Sequence, residues 1–143
     1  MNTPISAHFT FEELCTTSTG LPNKPNTQAL VNLVYLTAYV LEPLRCAMGE
    51  PISINSGYRS KEVNQKVGGV WNSQHTKGQA ADINIKGDYE KGKKWFKWIK
   101  EHCQFDQLIW EHNAAGVYWI HVSYVHPDFG TNRKQVIDNL LKK

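Results

Sequence analysis

The side chains best suited to chemistry in this sequence lie in three short segments that alternate between apolar and polar residues. Asp82 alternates with apolar neighbours at 81–85, as Glu111 does at 107–111 and His121 at 119–124. Successive strand residues point to opposite faces, so Asp82, Glu111 and His121 are expected to share the polar face of one sheet. The glycine-containing segment 112–118 suits a hairpin between the last two strands. Such a face could hold a metal ion and a group that accepts protons.

A catalytic zinc ion requires three neutral or anionic ligands, an open fourth position and a nearby proton acceptor. His75 adds a second imidazole in the loop that leads into the strand of Asp82. Gly78, Ala80 and Ala81 lie between them, and we expect these small residues to let the backbone pass close to a bound ion. Alternation along the strands alone is also compatible with a face that binds no metal, because the polar face of a half-exposed sheet is commonly only solvated.

Several helices are expected around these strands. A capping-box sequence and a hydrophobic staple start a short helix at Phe11. Asn26 can cap a long helix that ends at Gly49, and Pro43 should disrupt this helix near Tyr39. The apolar stripe of the long helix is predicted to contain Leu30, Leu33, Val34, Thr37, Leu41, Leu44 and Met48.

Two further amphipathic helices are predicted, at about 90–102 and about 133–141, and a fourth strand at 52–55. Together the elements predict one α+β domain over residues 1–143, with a mainly antiparallel sheet and helices packed on one face. The length of 143 residues fits one domain, and 41% hydrophobic residues exclude disorder as the main state.

Composition also argues against several classes of protein. A net charge of +3 does not by itself indicate nucleic-acid binding. The lysine-rich stretch 91–100 carries tryptophans at helical spacing, which favours a helix face packed on the core.

The longest apolar stretch, 29–41, is too short to span a bilayer. The N-terminus lacks the pattern of a secretory signal, so we expect synthesis in the cytoplasm. Three widely spaced cysteines indicate free thiols, and we expect a monomer.

Three motifs carry a family resemblance: Ser73-x-His75-x-x-Gly78-x-Ala80-x-Asp82, Trp119-Ile120-His121-Val122-Ser123 and Ser56-Gly57-Tyr58-Arg59-Ser60. Together they resemble the zinc D-Ala-D-Ala carboxypeptidases and related phage and bacterial cell-wall peptidases of the Hedgehog/DD-peptidase fold. The resemblance covers the chain from Phe9 to about Tyr124. It implies that His75, Asp82 and His121 are zinc ligands and that Arg59 holds the substrate.

The sequence departs from this family at the catalytic base. Several members carry a Glu three residues before the last ligand, or a His two residues before it, whereas Tyr118 and Trp119 occupy these positions here. The segment 105–111 resembles the strand that ends in the zinc-site Glu of Hedgehog-type domains, which assigns the base to Glu111. His112 remains an alternative, although a strand neighbour of Glu111 should point to the opposite face.

The resemblance implies a zinc peptidase that acts on peptidoglycan stem peptides, with a D-Ala-D-Ala carboxypeptidase favoured over an endopeptidase. Arg59 would bind a peptide carbonyl or carboxylate, provided that no carboxylate of the protein claims it. Ser73 either donates a hydrogen bond to substrate or caps its own loop. Two other hypotheses stay open beside the peptidase. One is a zinc-containing binding module without activity, and the other is a nucleic-acid binder. A wall hydrolase without a signal sequence suggests a phage or prophage product that reaches the wall on lysis.

Overall fold

The computed structural model describes residues 3–139. Its helices are α1 (Phe11–Leu14), α2 (Thr27–Leu36), α3 (Glu42–Met48), α4 (Lys61–Lys66) and α5 (Tyr89–His102), with a π-helical turn at Thr37–Leu41 and a 3-10 turn at Gln74–Lys77. Its strands are β1 (Ser53–Ser56), β2 (Ala80–Asn84), β3 (Gln107–His112), β4 (Tyr118–Ser123) and β5 (Gln135–Asp138).

The five strands form one sheet in the order β1-β2-β4-β3-β5. All neighbouring pairs are antiparallel except β3 and β5, which run parallel. The register places His121 of β4 opposite Asp82 of β2 on one side and opposite Ile109 of β3 on the other. Directly opposed residues share a face. The predicted α+β class, the mainly antiparallel sheet and the alternation of its central strands are therefore confirmed.

The apolar face of the sheet forms the core with the helices. Ile83, Leu108, Ile120 and Val122 are fully buried there and pack with residues of α2, α3 and α5. A sheet with one covered face leaves its other face free to carry polar side chains. No helix within residues 3–139 is long and apolar enough to cross a membrane.

The long helix expected over 26–49 is present, with a π-helical turn in its middle. The N–H of Glu42 reaches back five residues to the carbonyl of Thr37, directly before Pro43. Proline lacks the N–H that would bond the carbonyl of Tyr39, so the disruption falls where the sequence predicted it. The extra residue of this turn shifts the helix phase, and Val34, assigned to the buried stripe, is 39% exposed.

The helix predicted at about 133–141 is wrong. Residues 135–138 form β5, a parallel edge strand beside β3, and residues 140–143 lie outside the described part of the chain. Val136 and Ile137 are β-branched and suit a strand. Their spacing from Leu140 and Leu141 imitates a helical stripe, and the pairing with β3 is a long-range contact that local periodicity does not reveal.

Candidate metal centre

Strand register and one turn bring three predicted ligands together. His121 Nδ1 lies 3.1 Å from Asp82 Oδ1, and His75 Nε2 lies 3.3 Å from the same oxygen. One ligand atom from each of the three residues lies within 4.8 Å of the others, and His75 and Asp82 are buried. The convergence expected of His75, Asp82 and His121 is therefore present on the polar face of the sheet.

His75 is held by backbone groups on two sides. It lies in the 3-10 turn Gln74–Lys77, where Ser73 Oγ accepts the backbone N–H of His75 at 3.1 Å. The ring atom Nδ1 lies 2.7 Å from the carbonyl oxygen of Gly57. The N–H of Arg59 donates to the carbonyl of His75 at 3.0 Å. These contacts fix the ring with Nε2 directed at Asp82.

The hydrogen bonding of His75 fits a metal ligand. A ring that donates Nδ1–H to the Gly57 carbonyl presents, when neutral, a lone pair at Nε2. This lone pair faces a carboxylate oxygen at 3.3 Å, an arrangement that is repulsive unless a cation or a proton lies between the two atoms. A histidine whose second nitrogen bonds a backbone carbonyl is a common form of zinc ligand. The donor set of two imidazoles and one carboxylate suits zinc.

The carboxyl of Asp82 is strongly biased toward its anionic form. Burial alone would raise its pKa, but the charges and hydrogen bonds of His75 and His121 outweigh burial and hold the pKa of Asp82 well below its ordinary value. Asp82 Oδ2 also faces Arg59 Nη2 at 3.4 Å. An anionic Asp82 is the form that a metal ion requires.

Side chains of the protein engage more of the N–H donors of Arg59 than the sequence predicted. Nε donates to Ser56 Oγ at 3.0 Å, Nη1 to Asn64 Oδ1 at 3.2 Å and Nη2 to Asp82 Oδ2 at 3.4 Å. Substrate contact was expected on the condition that no carboxylate of the protein pairs with this guanidinium, and the contact with Asp82 means that this condition is not met. Arg59 still lines the groove described below, and of its five N–H donors two remain. Its contact with substrate stays a prediction.

The three candidate ligands lie on the floor of a groove of about 700 Å³. Residues 69–70 and 72–74 line it from one direction, and Gln107, Ile109 and Glu111 line it from β3. These three residues alternate along the strand, as residues of one face must. Glu111 is half-buried, and within residues 3–139 no hydrogen bond or ion pair engages its carboxylate. His112 is exposed and does not line the groove, as parity predicted.

Two smaller expectations have different outcomes. Ser73 caps the turn that carries His75 and also lines the groove, so its capping role is present and its contact with substrate stays a prediction. Gly78 packs against a helix, and its expected role beside a bound ion stays a prediction. It has φ 73°, and a Cβ there would lie 2.4 Å from the carbonyl oxygen of Ala29 in α2. Its lack of a side chain is therefore required by helix packing and by the left-handed end of the turn.

Sequence reasoning missed a polar cluster at one end of the groove. Asp106 accepts hydrogen bonds from Gln74 and from Arg133, both of which line the groove. Arg133 was not predicted as a site residue because its segment was predicted to form a helix. The alternation of β3 could have identified Ile109 and Gln107, but no local pattern marks Asp106 or Arg133.

The geometry of this centre agrees with comparisons to known proteins. The family model described as Peptidase M15 matches residues 7–123. The chain belongs to the peptidase M15 family. Over 84 residues it is 38% identical to the zinc D-Ala-D-Ala carboxypeptidase of Streptomyces albus G. That alignment covers 57% of this chain and 32% of the relative, so it spans about a third of the length of the curated protein.

The family match includes every residue that the sequence assigned to the site. His75, Asp82, His121, Arg59 and Glu111 all lie within residues 7–123. Arg133 and strand β5 lie beyond the match. The family resemblance stated from the motifs is thus confirmed, whereas the end of the groove formed by Arg133 must be understood from this chain itself.

Proposed function

We propose that this chain is a zinc-dependent peptidase that hydrolyses peptide bonds of peptidoglycan stem peptides, as a D-Ala-D-Ala carboxypeptidase. The observation that carries the proposal is the convergence of His75, Asp82 and His121 on the floor of a groove that Glu111 also lines. Membership of the peptidase M15 family and identity to a protein named as a zinc D-Ala-D-Ala carboxypeptidase support the reaction and the substrate class.

His75 through Nε2, Asp82 through Oδ1 and His121 through Nδ1 would hold the zinc ion. Bound there, zinc polarises a peptide carbonyl and lowers the pKa of water. An aspartate ligand leaves the site less positive than three histidines would, so a separate proton acceptor contributes more to the reaction.

Glu111 is the proton acceptor in this proposal. Its carboxylate has no partner within the described chain and lines the same groove as the ligands. A carboxylate free of ion pairs can accept a proton from the attacking water and later pass it to the leaving amine. Trp119, directly opposite Glu111 in the register, lines the groove beside it.

Arg59 has two functions in this proposal. Its contact with Asp82 Oδ2 fixes the carboxylate so that Oδ1 faces both imidazoles. Its two remaining N–H donors can bind a peptide carbonyl and stabilise the negative charge that develops during hydrolysis. Ser73 can donate its hydroxyl proton to substrate while its oxygen accepts the N–H of His75.

Digestion of purified cell walls tests the function. Zinc-loaded protein is expected to release free D-Ala, and a chelator is expected to abolish release until zinc is restored. Release of internal peptide fragments without free D-Ala would instead identify an endopeptidase. A protein that holds about one zinc ion per chain but leaves walls intact would support the inactive binding module. Protein without zinc after reconstitution would contradict the proposal.

A further inference from the structure

The polar cluster at the end of the groove holds an arginine in a fixed orientation. Arg133 Nε donates to Asp106 Oδ1 at 2.9 Å, and Nη2 donates to Oδ2 at 2.7 Å. The backbone N–H of Arg133 also donates to Oδ1, at 3.1 Å. Asp106 is 3% exposed and has a lowered pKa because Arg133 and Gln74 donate hydrogen bonds that outweigh the effect of burial. A bidentate pair of this kind orients the guanidinium plane.

The carboxylate and the guanidinium of this pair occupy different environments. Arg133 lines the groove and its side chain is 58% exposed, whereas Asp106 is buried and does not line the groove. Within residues 3–139, Arg133 Nη1 has no hydrogen-bond acceptor. Asp106 therefore lies behind the guanidinium, and Nη1 together with one proton of Nη2 is left for a ligand in front of it.

The charged side chains that line the groove differ in how they are paired. Arg59 is already paired with Asp82 inside the groove, but the carboxylate partner of Arg133 lies outside the lining. Glu111 lies toward the far end of β3, four residues or about 13 Å from Gln107 at the strand start. Arg133 is bonded to Asp106, immediately before that start. The groove thus carries the guanidinium of Arg133 at one end of β3 and the carboxylate of Glu111 toward the other end.

We propose that Arg133 binds a carboxylate of the bound peptide and so determines substrate specificity. This inference rests on the proposed peptidase function and names the chemistry of the substrate at one position. An arginine with two parallel donors available matches a carboxylate better than a carbonyl, because both oxygens are engaged. The carboxylate comes either from the C-terminus of the peptide or from an internal acidic residue.

Binding measurements separate these sources without depending on turnover. The probes are three peptides that end in D-Ala-D-Ala and contain one internal acidic residue: unmodified, amidated at the C-terminus, and amidated at the internal carboxyl. Calorimetry is performed with zinc-loaded Glu111→Gln protein that has Arg133, and with the same protein carrying Arg133→Gln. Lys134→Gln, which removes the same charge from the neighbouring residue outside the groove lining, is the matched control.

Amidation at one of the two positions is expected to weaken binding about tenfold or more when Arg133 is present, and less than about threefold in Arg133→Gln. Lys134→Gln should retain the full effect. The position that responds identifies the source of the carboxylate. Equal effects of amidation with and without Arg133 would overturn the inference, and so would binding that neither amidation changes.

Arg133→Gln leaves the buried Asp106 without its main partner and could unfold the protein. The double variant Asp106→Asn, Arg133→Gln removes both charges, so that no buried carboxylate is left unpaired, and it must show the same loss of the amidation effect. Wall digestion by the protein with Glu111 is measured separately. If the protein cleaves walls but amidation weakens binding equally with and without Arg133, only the role of Arg133 is refuted. If the protein neither cleaves walls nor binds the peptides, this inference and the peptidase function are refuted together.

Discussion

The imidazole Nδ1 of His75 lies 2.7 Å from the carbonyl oxygen of Gly57, eighteen residues earlier in the chain. A candidate ligand is thus oriented by a backbone group of a residue without a side chain. The segment that carries Gly57 is itself fixed, because the N–H of Tyr58 donates to the carbonyl of Leu14 at 2.7 Å. The orientation of His75 therefore depends on the position of α1, which ends at Leu14.

Gly57→Ala is predicted to lower both stability and zinc affinity. A Cβ at this position would lie 2.3 Å from the carbonyl oxygen of Leu14, so the segment must move away and take the acceptor of His75 with it. We expect a loss of about 1 to 3 kcal/mol in the free energy of unfolding. We also expect weaker zinc binding, measured by competition with a chelator.

Gly130→Ala is the control for this change. A Cβ at Gly130 would meet only a side-chain methyl of Val125, at 3.2 Å, and Gly130 has no contact with the ligands. It should lose little stability and no zinc affinity. Wild-type zinc affinity in a folded Gly57→Ala protein would show that the Gly57 carbonyl does not control His75.

The faces on which residues of β2, β3 and β4 lie could be predicted from the sequence because they depend on local alternation. Asp82 and His121 alternate with buried residues, and parity placed them on one face together with Glu111. His75 lies outside any strand, so periodicity alone could not bring it to that face. Its assignment came from the resemblance of its motif to a known family.

Features that depend on contacts between distant segments could not be predicted. Strand β5 exists because residues 135–138 pair with β3, and their apolar spacing alone suggested a helix. The same error hid Arg133 and its pair with Asp106. The packing role of Gly78 could not be predicted for a similar reason, because its close neighbour is the carbonyl of Ala29 on a separate helix. Loop residues acquire such neighbours only once the chain has folded.

Glu111→Gln is predicted to separate metal binding from catalysis. The change keeps the side-chain shape and leaves the three ligands intact, so zinc content should equal that of wild type. Turnover of a D-Ala-D-Ala peptide should fall about 100-fold or more, since the amide cannot accept the proton. His112→Gln, next along the strand but outside the groove, should retain activity. Near wild-type turnover by Glu111→Gln would show that another group accepts the proton.

Stability at acidic pH is predicted to depend on Glu42. Partial burial of its carboxylate would raise the pKa, but hydrogen bonds from Ser6 and from the ring and backbone of His8 outweigh burial and lower the pKa from 4.5 to about 2. A carboxyl group with a lowered pKa stabilises the folded state above the unfolded pKa of 4.5, and this contribution is lost as pH falls toward 2.

The contribution of Glu42 is measured by denaturant unfolding across this pH range. Glu42→Gln should cost about 1 to 3 kcal/mol at pH 6, and the difference from wild type should shrink as pH falls from about 4.5 to 2. Glu101→Gln, the same change at an exposed position of α5, is the matched control and should lack this pattern. A difference for Glu42→Gln that stays constant with pH would contradict the prediction.

Arg59→Lys is predicted to weaken zinc binding and catalysis together. The guanidinium joins Ser56, Asn64 and Asp82 through three different nitrogens, and a single ammonium group cannot reach all three acceptors in their present directions. Asp82 then loses the partner that holds Oδ2, so Oδ1 is less well aligned with His75 and His121. We expect zinc affinity to fall about 10-fold or more, the usual scale for loss of a group that supports a metal ligand.

At saturating zinc, the kcat/KM of Arg59→Lys should still be reduced, because the donors that remain for the peptide carbonyl are also lost. Arg45→Lys on α3, remote from the groove, should change neither quantity. An Arg59→Lys protein with reduced kcat/KM and unchanged zinc affinity would assign Arg59 to substrate alone.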